Sequence, residues 1–80
     1  MTARRNLVLA SLEADSGDRC VDIFRRPDGT FGFEEYRRDS EDGRGWFLIG
    51  RYGGEVFASE ADTRTAASAT IPWLMQIAPR

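Results

Sequence analysis

Histidine and lysine are absent from the 80 residues of this chain, and cysteine occurs once. Without histidine there is no Ser-His-Asp or Cys-His unit, and the commonest general base is missing. A structural zinc site needs several cysteine or histidine ligands, which a single cysteine cannot supply. The glycine-rich "GRYGGE" has neither the P-loop nor the dinucleotide-binding spacing. The sequence therefore predicts a protein that is not an enzyme, with no catalytic, metal or cofactor site.

The single cysteine and the shortness of the apolar runs also limit where the protein works. Cys20 has no partner for an internal disulfide, which suits a reducing compartment. It is expected to be a partly buried strand residue. The first apolar run, Leu7 to Ala10, is too short for a signal peptide, and no segment is long enough to span a membrane. We expect a cytoplasmic protein.

The charge balance is slightly acidic, with a net charge of −2 and a pI of about 5.0. All 11 cationic side chains are arginine. A domain whose main task is to grip phosphate backbones is usually basic overall. Nucleic-acid binding would therefore need a local arginine patch.

The length allows one domain, with a thin core. Residues 1–18 contain good helix formers but end early at "SGD", and we expect a flexible tail or a short helix there. Residues 19–76 are expected to form the single domain, and residues 77–80 to fray.

The stretch "RCVDIFRRPDGTFGFEEYRR" predicts a β-hairpin. Pro27 and Asp28 suit the central positions of a type I turn, and Gly29 can take the left-handed conformation that follows it. If Arg26 lies opposite Thr30, the register sorts the side chains onto two faces. One face, expected to be the core, carries Val21, Ile23, Phe31 and Phe33. The other face, expected to meet solvent, carries Cys20, Asp22, Phe24, Glu34 and Tyr36.

The rest of the chain predicts one or two more strands and then a helix. "WFLIG" is a third strand, and "EVFA" is either a short fourth strand or an extended entry to the helix. Ser59 is a candidate N-cap, with small residues along one side of the helix at Ala61, Thr65, Ala66 and Ala69. "IPWLM" predicts a second short helix beginning at Pro72 or a lid over the core. The fold class is α+β, an antiparallel sheet of three to four strands with one C-terminal helix on one face.

Two classes of partner fit these features. The first is another protein or a second copy of the chain, because a small sheet has open edges and "IPWLM" is strongly apolar. The candidate contact residues are Trp73 and Leu74, unless they only close the core. The alternative is nucleic acid, bound through an arginine-bearing sheet face. The candidate contact residues for it are Arg25, Arg26, Tyr36, Arg37 and Arg38.

Residues 21–74 resemble a family of small bacterial proteins with no assigned activity. The resemblance is carried by "RRPDGTFGFEEYRR", "GWF" and the ending "FASEA…IPWL". It implies a small strand-rich domain closed by a helix. A looser similarity in element order links the chain to the three-strand-plus-helix DNA-binding domains of plant transcription factors and phage-type integrases, which are more basic on the sheet.

Overall fold

The computed structural model describes residues 5–39, 41, 43–50 and 52–76. Four strands form one antiparallel sheet in the order β1-β2-β3-β4, followed by one α-helix and a short 3-10 helix. The elements are β1 (Leu7–Glu13), β2 (Arg19–Arg25), β3 (Phe31–Arg37), β4 (Phe47–Gly50), α1 (Glu60–Thr70) and the 3-10 helix (Pro72–Gln76). The α+β prediction is confirmed.

The turn between β2 and β3 has the predicted geometry. Gly29 has φ of 89°, in the left-handed region, and its N–H donates to the carbonyl of Arg26 at 2.9 Å. The Arg26 N–H donates to the Thr30 carbonyl at 2.7 Å. Asp28 Oδ1 accepts from the Thr30 N–H at 2.9 Å and from its hydroxyl at 2.6 Å. The side chain of Asp28 therefore stabilises the turn in addition to its backbone hydrogen bonds.

This turn sets the predicted register along the whole hairpin. Ile23 lies opposite Phe33, and Asp22 lies opposite Glu34. Val21, Ile23 and Phe33 are fully buried on one face, which confirms that face as the core. A one-residue slip would have turned these side chains to the other face.

Helix α1 covers the core face. Ser59 Oγ accepts the Asp62 N–H at 3.0 Å, which confirms the predicted N-cap. The helix buries Thr63 and Ala67, one turn apart, rather than the predicted side bearing Ala61, Thr65 and Ala69, which is exposed. Thr63 tolerates full burial because its hydroxyl donates to the Ser59 carbonyl at 2.8 Å.

The N-terminal segment is a strand, so the tail or short helix predicted for residues 1–18 is wrong over Leu7–Glu13. The "SGD" sequence lies in a tight turn, where the Ala14 N–H donates to the Arg19 carbonyl at 3.0 Å. β1 then pairs with β2, with a bulge at Leu9. The domain therefore includes β1 as well as the predicted residues 19–76.

The segment after β4 resolves the remaining alternatives. Phe57 exchanges two backbone hydrogen bonds with Phe31, at 2.9 and 3.0 Å, as an isolated bridge. "EVFA" is therefore an extended entry to α1 rather than a fourth strand. The 3-10 helix begins at Pro72, as predicted. Residues 77–80, expected to fray, lie outside the described residues.

Candidate interaction surface

The uncovered face of the sheet is more enclosed than expected, because Arg26 lies across it. Its guanidinium donates to the carbonyls of Phe31 at 2.8 Å, Gly53 at 2.7 Å and Glu55 at 3.0 Å. It also sits 5.1 Å from the ring centroid of Phe24. Phe24 is accordingly only 6% exposed, although this face was expected to meet solvent. Cys20, further along β2 on the same face, is 8% exposed. Arg26 ties the β2–β3 hairpin to the turn after β4.

Arg38 is committed in a similar way at the other end of the sheet. Its Nε donates to the Gly17 carbonyl at 3.0 Å, and its guanidinium lies 3.6 Å from the Glu13 carboxylate. The same group stacks 4.7 Å from the Trp46 ring centroid. Arg38 therefore links the β1–β2 turn to the irregular segment that precedes β4.

The predicted nucleic-acid residues do not form one patch. Arg25 and Arg37 are exposed, but they lie at opposite ends of the hairpin, and Arg37 faces Arg19 across it. Tyr36 is half-buried and donates to Glu34 Oε2 at 3.1 Å. Burial, and then this hydrogen bond, raise the pKa of Tyr36 to about 12.

Carboxylates occupy the centre of the uncovered face of the sheet, as the predicted register indicated. Asp22 accepts from the Ser11 hydroxyl at 2.7 Å and from the Cys20 thiol at 3.5 Å. Burial, and then Asp22, raise the pKa of Cys20 to about 12, so this thiol stays protonated at neutral pH. Among the described residues, no group of three or more cysteine, aspartate or glutamate side chains is placed to hold a metal ion.

The predicted interface residues Trp73 and Leu74 close the core. Leu74 is 7% exposed and packs with Ile71 and Ala67, which leaves it no surface to offer a partner. Trp73 packs against this core, and its Nε1 donates to Glu35 Oε2 at 2.8 Å. These contacts fit the alternative stated for the two residues, that they only close the core.

Within the part of the chain that the structure describes, the longest consecutive run of exposed large apolar side chains lies instead on β1. Leu7, Val8 and Leu9 are 60%, 51% and 37% exposed. β1 is an edge strand, so one side of its backbone has no neighbouring strand among the described residues. Sequence reasoning missed this surface because the same residues are good helix formers. The "SGD" turn in front of β2 was the signal that could have revealed it.

β1 also lacks most of the devices that usually protect a sheet edge. It has no lysine, no proline and no charged side chain before Glu13. Its bulge at Leu9 is one protective feature. The opposite edge, β4, is four residues long against seven for β1. β1 is therefore the more extended of the two free edges.

Comparison with known proteins adds no relative. No protein-family model, curated protein or solved structure matches the chain. The resemblance to small bacterial proteins therefore stays a prediction. Within the described residues, no helix has the length and apolar character needed to cross a membrane.

Proposed function

We propose that this protein is a non-enzymatic interaction module that associates with a second copy of itself through the free edge of β1. The observation that carries the proposal is the run Leu7 to Leu9, exposed on an edge strand. Exposed strand edges bind another chain through backbone hydrogen bonds, and apolar side chains add to the affinity. The single cysteine, Cys20, has no partner for an internal disulfide, which suits a reducing location such as the cytoplasm.

The expected affinity is modest. Burying six half-exposed apolar side chains, three from each copy, contributes about 6 kcal/mol. About six backbone hydrogen bonds at roughly 1 kcal/mol each add a similar amount. Subtracting about 6 kcal/mol for lost translational and rotational freedom leaves a Kd on the order of tens of micromolar. The dimer is therefore expected to be reversible rather than obligate.

Sedimentation equilibrium tests the proposal directly. The natural chain should show a monomer–dimer equilibrium, and Leu7→Lys should shift it to monomer by placing a charge on the edge. Met75→Lys is the matched control, because Met75 is 77% exposed on the 3-10 helix, outside the sheet. A natural chain that stays monomeric up to about 1 mM, a concentration that would saturate a dimer of this affinity, would refute self-association.

Nucleic-acid binding, the alternative, has weaker support, because Arg26, Arg38 and Tyr36 already contact other parts of the chain. Arg25 and Arg37 remain exposed. A mobility shift with duplex DNA at low salt that disappears as salt is added would support it. An unshifted duplex at low salt would exclude it.

A further inference from the structure

The two ends of β1 carry opposite charge. At the start of the strand, a shallow cleft is lined by Arg5, Leu7, Arg25, Arg26 and Pro27. At the other end, Glu13 is paired with Arg38, and the exposed Asp15 lines a second cleft together with Ala14, Ser16, Trp73 and Gln76. Two identical edges that meet antiparallel place the basic end on the acidic end twice, whereas parallel edges place like charges together. The charge pattern thus favours a second copy in the antiparallel orientation.

The faces of the strand restrict the register. Leu7 and Leu12 lie opposite Arg25 and Val21, on the face that α1 covers. Val8 and Ser11 lie on the uncovered face, opposite Phe24 and Asp22. In a continuous antiparallel sheet, like faces must lie on the same side. Leu7 opposite Leu12 of the second copy meets this condition, and it also brings Val8 opposite Ser11.

The bulge selects the same register. Between Val8 and Ala10 the strand contains one extra residue, Leu9, relative to β2. With Leu7 opposite Leu12, Leu9 of each copy lies opposite Ala10 of the other, so the two bulges face each other across the two-fold axis. Any other face-matched register sets a bulged segment against a regular one, with unequal chain lengths between paired residues.

We propose that two copies pair antiparallel along β1, with Leu7 of each opposite Leu12 of the other. Arg5 of each copy then lies opposite Ala14 and beside Asp15 of the other, and the two sheets form one sheet of eight strands. This inference rests on the proposed function and adds the orientation, the register and the charge pairs that select the partner.

A charge-exchange experiment tests the orientation. In Arg5→Glu, both ends of the dimer set the introduced carboxylate beside Asp15, and in Asp15→Arg both ends set two arginines together. Each variant should dimerise about tenfold more weakly than the natural chain. An equimolar mixture should recover the natural Kd within about threefold, because each end then joins opposite charges. Arg64→Glu and Glu55→Arg, with the same changes in net charge away from β1, should leave the Kd unchanged.

A cross-linking experiment tests the register independently of affinity. Leu7→Cys and Leu12→Cys chains are mixed and oxidised with oxidised glutathione, which accepts the two electrons as the disulfide forms. The mixture should give a covalent dimer, and each variant alone should not, because only positions 7 and 12 face each other. Cys20 is buried and protonated, so it stays out of the exchange. Circular dichroism of each variant confirms that the fold is retained.

The outcomes separate the two proposals. A dimer that cross-links through Ser11→Cys alone, or a mixture that associates no better than its components, would overturn this register while self-association stands. A natural chain that is monomeric at every concentration would overturn both. Recovery in the mixture together with the 7–12 cross-link is the result that supports the inference.

Discussion

Replacing Gly32 by alanine should destabilise the domain by forcing Arg26 and Phe24 apart. A Cβ at position 32 would lie 2.6 Å from Nη2 of Arg26 and 2.8 Å from Cζ of Phe24. Phe24 is held at 6% exposure, and the Arg26 guanidinium is fixed by three carbonyls. Neither group can move without losing contacts, so the close approach explains the glycine.

The expected cost follows from two opposing terms. Overpacking at a filled site costs about 1–3 kcal/mol, and weakening the Arg26 hydrogen bonds adds about 1 kcal/mol. Alanine also restricts the unfolded chain more than glycine does, which stabilises the folded state by about 0.5–1 kcal/mol. The net loss of unfolding free energy is about 2 kcal/mol, which lowers Tm by roughly 8–15 °C in a domain of this size.

Urea denaturation followed by circular dichroism measures this loss, at a protein concentration below the dimer Kd so that association adds nothing. Gly43→Ala is the matched control, since no atom lies within 4 Å of its added Cβ, and it should not lower stability. In an Arg26→Ala background the cost of Gly32→Ala should fall, because one of the two clashes is gone. Equal stability of Gly32→Ala and the natural chain would refute the reasoning.

Three further predictions concern single side chains. Trp73→Phe should cost about 1–1.5 kcal/mol of unfolding free energy, because it removes the donor to Glu35, and a denaturation curve that overlays the natural one would contradict this. Cys20 should resist iodoacetamide at pH 8 in the folded chain and react in urea, as mass spectrometry will show; equal rates would contradict its burial. Hydrogen bonds from Thr30, above all from its side chain, lower the pKa of Asp28 below its usual value. These hydrogen bonds contribute to stability at pH values above the pKa of Asp28 in the unfolded chain, and the contribution is lost as the pH falls through its lower pKa in the folded chain. The unfolding free energy of Asp28→Asn should therefore fall less steeply on acidification than that of the natural chain. An equal dependence on acid pH in the two proteins would argue against this.

The hairpin could be predicted residue by residue because its determinants are local. Pro27, Asp28 and Gly29 fix the turn, the turn fixes the register, and the alternation of side chains then sorts the faces. The N-cap at Ser59 is equally local. Every step depends on neighbours a few residues apart, which is why single-sequence reasoning sufficed.

The N-terminal strand depends on tertiary pairing instead. "LVLASLE" has the composition of a helix, and only the hydrogen bonds to β2 make it a strand. The buried side of α1 was misplaced for a related reason. The predicted side followed the small residues Ala61, Thr65 and Ala69, whereas the sheet contacts the side that bears Thr63. The Thr63 hydroxyl is satisfied within the helix, which leaves a small, apolar methyl group for the sheet.

The role of Arg26 was the least accessible to sequence reasoning. It reaches carbonyls of residues 53 and 55, which are 27 and 29 positions away, and nothing in its local sequence indicates those acceptors. Its neighbour Arg25 has similar surroundings in the sequence but stays exposed. Two adjacent arginines therefore differ in role because they point to opposite faces of the sheet.

Because the order of the strands in the sheet follows their order in the chain, each strand meets its neighbour after closing only a short loop. Such local contacts favour rapid folding. The exception is α1, which begins at Glu60 and packs on Val21, Ile23 and Phe33, residues far from it in the sequence. During synthesis on the ribosome the sheet can assemble early, but its apolar face remains exposed to solvent until α1 has emerged. Chaperone binding should therefore be greatest in that interval.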